Sequence, residues 1–283
     1  ERWRREGLAR IEAELDKVPT PPARGVSPHA PYSLDVEPLL DLPDLARRRG
    51  ARLHIHLGES KLEELHPSMA GDDAWRTVDA ESYRALRRDG FAASATDFVD
   101  QLGVLGPDCH IAHGVYLNAH DRAVLRARMT AVALCPRSNA VIGLDEPPVA
   151  AYLREGNLIA VGTDSLASSP SLDLLADVAE LHRLALRQGY TEPDLANRLL
   201  RAATLGGAVA LGMSTGPDRV GQLQVGSLAA LVFVEVEAGG VREAIENVVR
   251  DGAGRVAATL LGGDVVFATA AWTDCTGEKE ARA

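Results

Sequence analysis

The chain has 283 residues, 46% of them hydrophobic and 25% charged. That is enough apolar material for one large folded domain, or a large domain with a small appendage, and it excludes intrinsic disorder. A net charge of -10 and a pI near 5.3 count against nucleic acid or an anionic membrane as the main partner, because both select basic faces.

Cys109, Cys135 and Cys275 are widely spaced and form no C-x-x-C, which fits a reduced cytoplasmic protein. No stretch reaches the ~18 to 20 apolar residues of a membrane helix, and no basic start leads into an apolar signal core. A soluble protein with no membrane partner is therefore expected. The chain opens at Glu1 inside a charged helical pattern, Arg2 to Lys17, and reads as part of a longer sequence.

Leu8, Ile11 and Leu15 share one face of that first helix, which the Pro19-Thr20-Pro21-Pro22 cluster should end. A short strand, Arg24 to Ser27, then runs into Ser27-Pro28-His29-Ala30-Pro31-Tyr32-Ser33, where two prolines hold His29 in an extended segment. A helix-capping or turn-filling role for His29 stays open on these residues alone. Asp35 to Arg49 reads as a helix ended by Gly50.

Next, Leu53, Ile55 and Leu57 alternate with His54 and His56, Gly58 breaks the run, and Lys61 to Leu65 looks helical. In a β/α barrel such a strand delivers His56 and Glu59 to the end that faces the active site. The polar region His66 to Arg88 is too long for an ordinary connection and predicts a lid or specificity insertion. Thr96 to Leu102 should be helical.

Cys109 to Gly114 forms a strand ending at His113, followed by a helix over Asn118 to Arg128. Met129 to Cys135 is an apolar strand ended by Pro136-Arg137-Ser138-Asn139, and Pro148 to Glu155 is a helix. Leu158 to Ser165 is a strand with Asp164 at its end. Apolar strands alternating with amphipathic helices indicate a parallel sheet covered on both faces. A helical run over Ser171 to Leu211 follows. Gly221 to Val236 is strand-like, Val241 to Arg250 helical, and Val256 to Leu261 with Asp264 to Thr269 reads as a hairpin turning at Gly262-Gly263.

Strand ends thus collect His29, His56 with Glu59, His113 and Asp164. Imidazole and carboxylate donors of this kind suit zinc or a similar divalent ion. Any one of these histidines taken alone would more often be a core or surface residue; their coincidence at strand ends favours a site. His54 and His110 lie further back on the same strands, and His66, His120 and His182 fall in helices or polar loops; these read as structural or surface residues.

Ser27-Pro28-His29-Ala30-Pro31-Tyr32, His56-Leu57-Gly58-Glu59, Ala112-His113-Gly114, Cys135-Pro136-Arg137-Ser138-Asn139 and Gly162-Thr163-Asp164-Ser165-Leu166-Ala167-Ser168 occur in the order found in the amidohydrolase superfamily. They most resemble its deaminase branch, which acts on adenosylhomocysteine, methylthioadenosine and aminodeoxyfutalosine, and they lean towards the aminodeoxyfutalosine group. The resemblance covers about Arg24 to Val234. It implies a TIM-type (β/α)8 metal-dependent hydrolase barrel with part of a small β-sandwich. Residues 1–220 would form the catalytic partial barrel, 221–272 the sandwich portion and 273–283 a mobile tail.

By the same resemblance, His56 and Asp164 would bind one divalent metal ion, zinc or alternatively ferrous iron. Glu59 would shuttle protons and contact substrate, Asp164 would assist it, His113 would hydrogen-bond the reacting water or carbonyl, and His29 would bind substrate. The family's first-strand His-x-His pair has no counterpart upstream of His29, so the resemblance implies that roughly the first three strands and half the sandwich are lacking. The implied reaction is hydrolytic deamination of an adenine-type nucleoside, releasing ammonia. A chlorohydrolase or cyclic-amide hydrolase would use nearly the same residues, and a non-catalytic fragment or pseudoenzyme acting as a binding module is the alternative of another class. The expected partner is a small-molecule substrate, with a homodimer as the default assembly.

Overall fold

The apolar runs become the strands of one parallel sheet in the computed structural model, which describes residues 3–18, 24–64 and 80–276. The strands are β1 (Gly25–Val26), β2 (Arg52–Leu57), β3 (Cys109–His113), β4 (Ala131–Leu134) and β5 (Ile159–Val161), hydrogen-bonded in chain order. Parallel neighbours need crossover connections, and helices supply them: Val36–Arg48, Ala95–Gln101, Ala119–Arg128 and Val149–Glu155. Among the described residues β1 and β5 each have a single strand neighbour. The alternation is that of a β/α barrel, with five of its strands present in this region.

The sheet's two faces follow from the period of two in β2. Leu53, Ile55 and Leu57 are fully buried on one face, in a core with Leu39, Leu45 and Phe98, while Arg52, His54 and His56 are half-buried on the other. Fully burying a side chain the size of Leu stabilises by about 1.5–3 kcal/mol. Register then fixes which polar groups meet: His54 lies opposite His110, His56 opposite the small Ala112, and Leu57 opposite His113.

A separate antiparallel sheet follows, made of β6 (Leu231–Val234), β7 (Val256–Leu261) and β8 (Asp264–Ala268). The β7–β8 hairpin turns at Gly262 and Gly263, both at positive φ, as predicted. The helix Val241–Asp251 ties this part to the main core through the fully buried Val249.

Several elements differ from the sequence reading. The strand expected over Gly221 to Val236 shrinks to Leu231–Val234; Leu223 and Val225 before it are 90% and 98% exposed and pair with no strand among the described residues. Pro136 to Asn139 does not merely end β4. It opens a helix, Pro136–Val141, because proline at the first helical position has its φ already set and no N–H to leave unbonded. The helix expected from Lys61 is a single short turn, Lys61–Glu63. Residues 65–79, most of the predicted lid, lie outside the described residues, as does the Pro19 to Pro22 cluster. The rest of the predicted lid is a helix, Glu81–Arg88, whose buried Tyr83 meets the Phe98 ring edge-on at 4.9 Å. Of the tail predicted from 273, residues 273–276 close the helix Ala270–Thr276 and residues 277–283 lie outside the described residues. Trp272 holds that helix, its ring 4.4 Å from Phe233.

Candidate functional site

At the carboxyl ends of β2 and β3 the backbone turns through left-handed conformations. Gly58 has φ +65° and Gly114 has φ +57°. A Cβ on Gly58 would lie 2.7 Å from Leu117, and one on Gly114 would lie 2.5 Å from the Tyr152 hydroxyl, so both turns require glycine. The turns interlock: Gly114 N–H donates to the Leu57 carbonyl at 3.0 Å, and the Gly58 carbonyl accepts from Val115 and Tyr116 at 2.8 and 2.9 Å. His113 (φ 73°) and Asp164 (φ 61°) are also left-handed without being glycine. Such a conformation costs about 1–3 kcal/mol and persists only where the surroundings enforce it, which is common at functional sites.

The locked turns bring Glu59 and His113 together, with Glu59 Oε1 3.7 Å from His113 Nε2. The Tyr32 hydroxyl donates to Glu59 Oε2 at 2.8 Å. Burial, then the neighbouring Glu59 and Glu63 carboxylates, push the Tyr32 pKa upward, so its proton stays in place for that bond. His113 is buried, and its Nδ1 lies 2.9 Å from Asn139 Oδ1. That contact holds the ring's orientation and leaves Nε2 towards Glu59.

The His29 carbonyl accepts two bonds from His56, from its backbone N–H at 2.6 Å and from Nδ1 at 3.0 Å. With Nδ1–H donated, His56 Nε2 carries a lone pair, the state an imidazole needs to bind a metal. Burial, then the neighbouring His113 and His29 rings, lower the His56 pKa. The His29 ring lies 4.5 Å from that of His56, and its Nδ1 is 2.8 Å from Ser33 Oγ. His29 therefore fills more than a turn.

Asp164 accepts from Ser138 Oγ and Ser168 Oγ, both at 2.7 Å, and from the Ser165 N–H at 2.8 Å. Burial opposes its charge, but those hydrogen bonds together outweigh it and hold the carboxyl below its ordinary pKa. The residues expected at strand ends thus form two groups. His29, His56, Glu59 and His113 are linked by direct contacts, to which Tyr32 adds itself through Glu59, and Asp164 stands apart, in electrostatic contact with His113.

His56 and Asp164 have the donor chemistry of a zinc site, but a catalytic zinc uses three protein ligands. No group of three or more His, Cys, Asp or Glu side chains able to hold a metal exists among the described residues. The donor set of these residues is thus short of a complete metal site. Away from it, His120 pairs with Asp97 at 2.9 Å on the surface, as expected for a helical histidine.

Sequence reasoning gave no role to Tyr32, Ser138, Asn139 or Ser168, although each lies within a quoted motif. It missed Glu63 altogether. This buried carboxylate accepts the N–H groups of Gly58, Glu59 and Ser60 at 2.8, 2.9 and 2.9 Å. The Ser60-x-x-Glu63 spacing is a capping-box signature and could have found it.

Comparison with known proteins adds a lineage to this geometry. The model of the amidohydrolase family matches residues 4–266. The 5-methylthioadenosine/S-adenosylhomocysteine deaminase of Syntrophobacter fumaroxidans is 34% identical over 238 residues, which make up 83% of this chain and 46% of that protein. The 5'-deoxyadenosine deaminase of Methanosarcina mazei is 31% identical over 74% of this chain and 43% of its own length. The chain thus spans less than half the length of these curated relatives. Among solved structures, a zinc-bound adenosine deaminase from Xanthomonas campestris superposes with a TM-score of 0.75 at 26% identity, covering 92% of this chain and 56% of that one. Guanine deaminase of E. coli, at 23% identity and TM-score 0.68 over 85% of this chain and 53% of that one, shares the fold. With the strand-end motifs, the barrel strands and the family match in agreement, the chain belongs to the amidohydrolase family.

Proposed function

We propose that this chain carries the proton-transfer half of a site for hydrolytic deamination of adenine-type nucleosides. The observation that carries the reading is the Glu59 carboxylate, held between the Tyr32 hydroxyl at 2.8 Å and His113 Nε2 at 3.7 Å at the ends of adjacent strands. The names of the relatives, deaminases of 5'-modified adenosines, support the substrate class. They extend to nucleosides altered at the 5' position, a broader set than aminodeoxyfutalosine.

In this reading water adds to the ring carbon that bears the exocyclic amine. Glu59 takes the proton that water gives up and passes it to the adjacent ring nitrogen, and the amine leaves as ammonia with a further proton. Proton transfer of this kind contributes ~100 to 10,000-fold. Tyr32 orients the Glu59 carboxylate. His113 hydrogen-bonds the new oxygen, Asp164 accepts the second proton of the attacking water, and His29 contacts the substrate. His56 and Asp164 are the chain's contribution to one divalent ion, zinc, in keeping with the zinc bound in the Xanthomonas structure. When bound, such an ion lowers the pKa of water towards 7. Residues 1–220 are the catalytic portion and 221–272 the sandwich portion of this scheme. The free thiols of Cys109, Cys135 and Cys275 suit a reducing cytoplasm, and a homodimer is the assembly we assign.

The test is ammonia release from 5'-deoxyadenosine and methylthioadenosine, with metal analysis. It compares the 283-residue chain with the same chain joined to the amino-terminal half of the Syntrophobacter relative. The joined protein should bind one metal ion and release ammonia, and the chain alone should do neither. A metal-loaded joined protein that releases no ammonia, or that yields chloride or a ring-opened acid from other heterocycles, would end the deaminase reading.

A further inference from the structure

We infer that Glu63 is the positioning residue for Glu59: as a carboxylate it gathers three consecutive backbone N–H groups and so fixes where the proton shuttle sits. The role in catalysis rests on the deaminase reading; the role in holding the turn does not.

The geometry asks for more than a helix cap. A capping box needs one bond from the acidic side chain back to the N-cap amide, here the Ser60 N–H on Glu63 Oε1 at 2.9 Å. Glu63 makes two further bonds upstream of that cap. Oε1 also accepts the N–H of Glu59 at 2.9 Å, and Oε2 accepts that of Gly58 at 2.8 Å. The helix it caps is one short turn, Lys61–Glu63. Burying a carboxylate to 3% exposure is costly, and a single turn of helix does not warrant it. What the arrangement does secure is the left-handed Gly58 and the backbone of Glu59, whose side chain must meet both Tyr32 and His113.

Ionisation matters because only a carboxylate accepts at both oxygens in this way. Once protonated, one oxygen becomes a donor facing a backbone N–H, and a bond in the set of three is lost. Among the described residues the ionisable groups around Glu63 are Glu59, then Tyr32 and Tyr83 with the Arg87 guanidinium over the Tyr83 ring, and, across an adjacent cavity of about 140 Å³, Glu64, Tyr116 and Asp121. Burial pushes the Glu63 pKa up to about 7 against the pull of its three N–H donors. The turn therefore loosens as the solution is acidified through neutrality.

The experiment follows the amides of Gly58, Glu59 and Ser60 by NMR in the 283-residue chain and in Glu63→Gln. In the parent the three amide shifts should titrate together near pH 7. In the variant that shared step should vanish and the three amides should exchange at least tenfold faster, with Ile111 and Val132 in the neighbouring strands keeping their protection. Unchanged shifts and exchange at Gly58, Glu59 and Ser60 would overturn the proposal. Should Glu63→Gln not fold, Glu63→Asp keeps the charge but is too short to reach all three amides. It should then release Gly58 alone, and full protection at Gly58 would count against us.

In the joined protein, Glu63→Gln should lower kcat at least tenfold with KM within about threefold, and remove the acidic limb of the pH profile that Glu63 sets. A purely structural role would instead lower the amount of folded enzyme and leave that limb in place. If the joined parent releases no ammonia, the deaminase reading fails, and the amide measurements still decide whether Glu63 holds the turn.

Discussion

Two layers of histidine lie at and below the ends of the parallel strands, and they behave differently. The upper layer, at the strand ends, holds His29, His56 and His113, each with a polar contact to its ring: Ser33 Oγ, the His29 carbonyl and Asn139 Oδ1. One pleat below, His54 and His110 stack at 4.6 Å with an angle of 13° between their planes. His54 Nε2 and His110 Nδ1 are buried without a hydrogen-bond partner. Burial first, and neighbouring positive groups second, lower their pKa values to about 3 and about 4. The same side chain is thus an oriented polar group at the rim and, two or three residues deeper, a stacked ring whose charge burial disfavours. Depth along the strand, more than residue type, sets the environment of each histidine.

The sharpest way to break that comparison is to disable the rim. Glu59→Gln in the joined protein should cut ammonia release by ~100 to 10,000-fold, with the melting temperature and bound metal unchanged. A variant that retains the parent rate would remove Glu59 from the chemistry. The next effect is on the frame that holds the rim. Gly114→Ala places a methyl 2.5 Å from the Tyr152 hydroxyl at φ +57°. Overpacking together with the left-handed backbone should cost about 2–4 kcal/mol in urea denaturation. A loss below about 1 kcal/mol would mean that the turn relaxes freely.

The smallest effect belongs to the deeper layer. With a folded pKa near 4 against an ordinary 6.5, His110 is neutral in the fold where the unfolded chain is protonated. Its contribution is present above about pH 6.5 and is lost as pH falls towards 4, by up to about 1.4 kcal/mol per pH unit. His110→Gln should lose less stability between pH 7 and 5 than the parent does. Equal losses would show that His110 is charged or hydrated in the fold.

Much of this was legible in the sequence because strand ends have a local signature. Leu53, Ile55 and Leu57 set the buried face by simple alternation, and Gly58 marked the turn that aims Glu59. The β7–β8 hairpin was equally plain from Gly262-Gly263. What was not legible depends on partners distant in the chain. Nothing in the run from Gly221 said that it would find pairing only from Leu231, because strand pairing belongs to the neighbour as much as to the strand. Glu63 fell within the run Lys61 to Leu65 that read as helical, and its burial cannot be read from its own neighbours. The buried Asn139 was read as the end of a strand, and its contact with His113 spans 26 residues.

The small antiparallel sheet carries a consequence for handling the protein. Val232, Phe233, Val266 and Phe267 on its strands are between 37% and 59% exposed, and Leu223 and Val225 beside it are almost bare. A net charge of -10 repels copies from one another in dilute buffer. Salt removes that barrier, because the screening length falls from ~10 Å at 0.1 M to ~3 Å at 1 M, while the attraction between apolar strands persists. Colloidal stability should therefore decline as ionic strength rises, which makes low-salt buffer the medium in which to keep this chain dispersed.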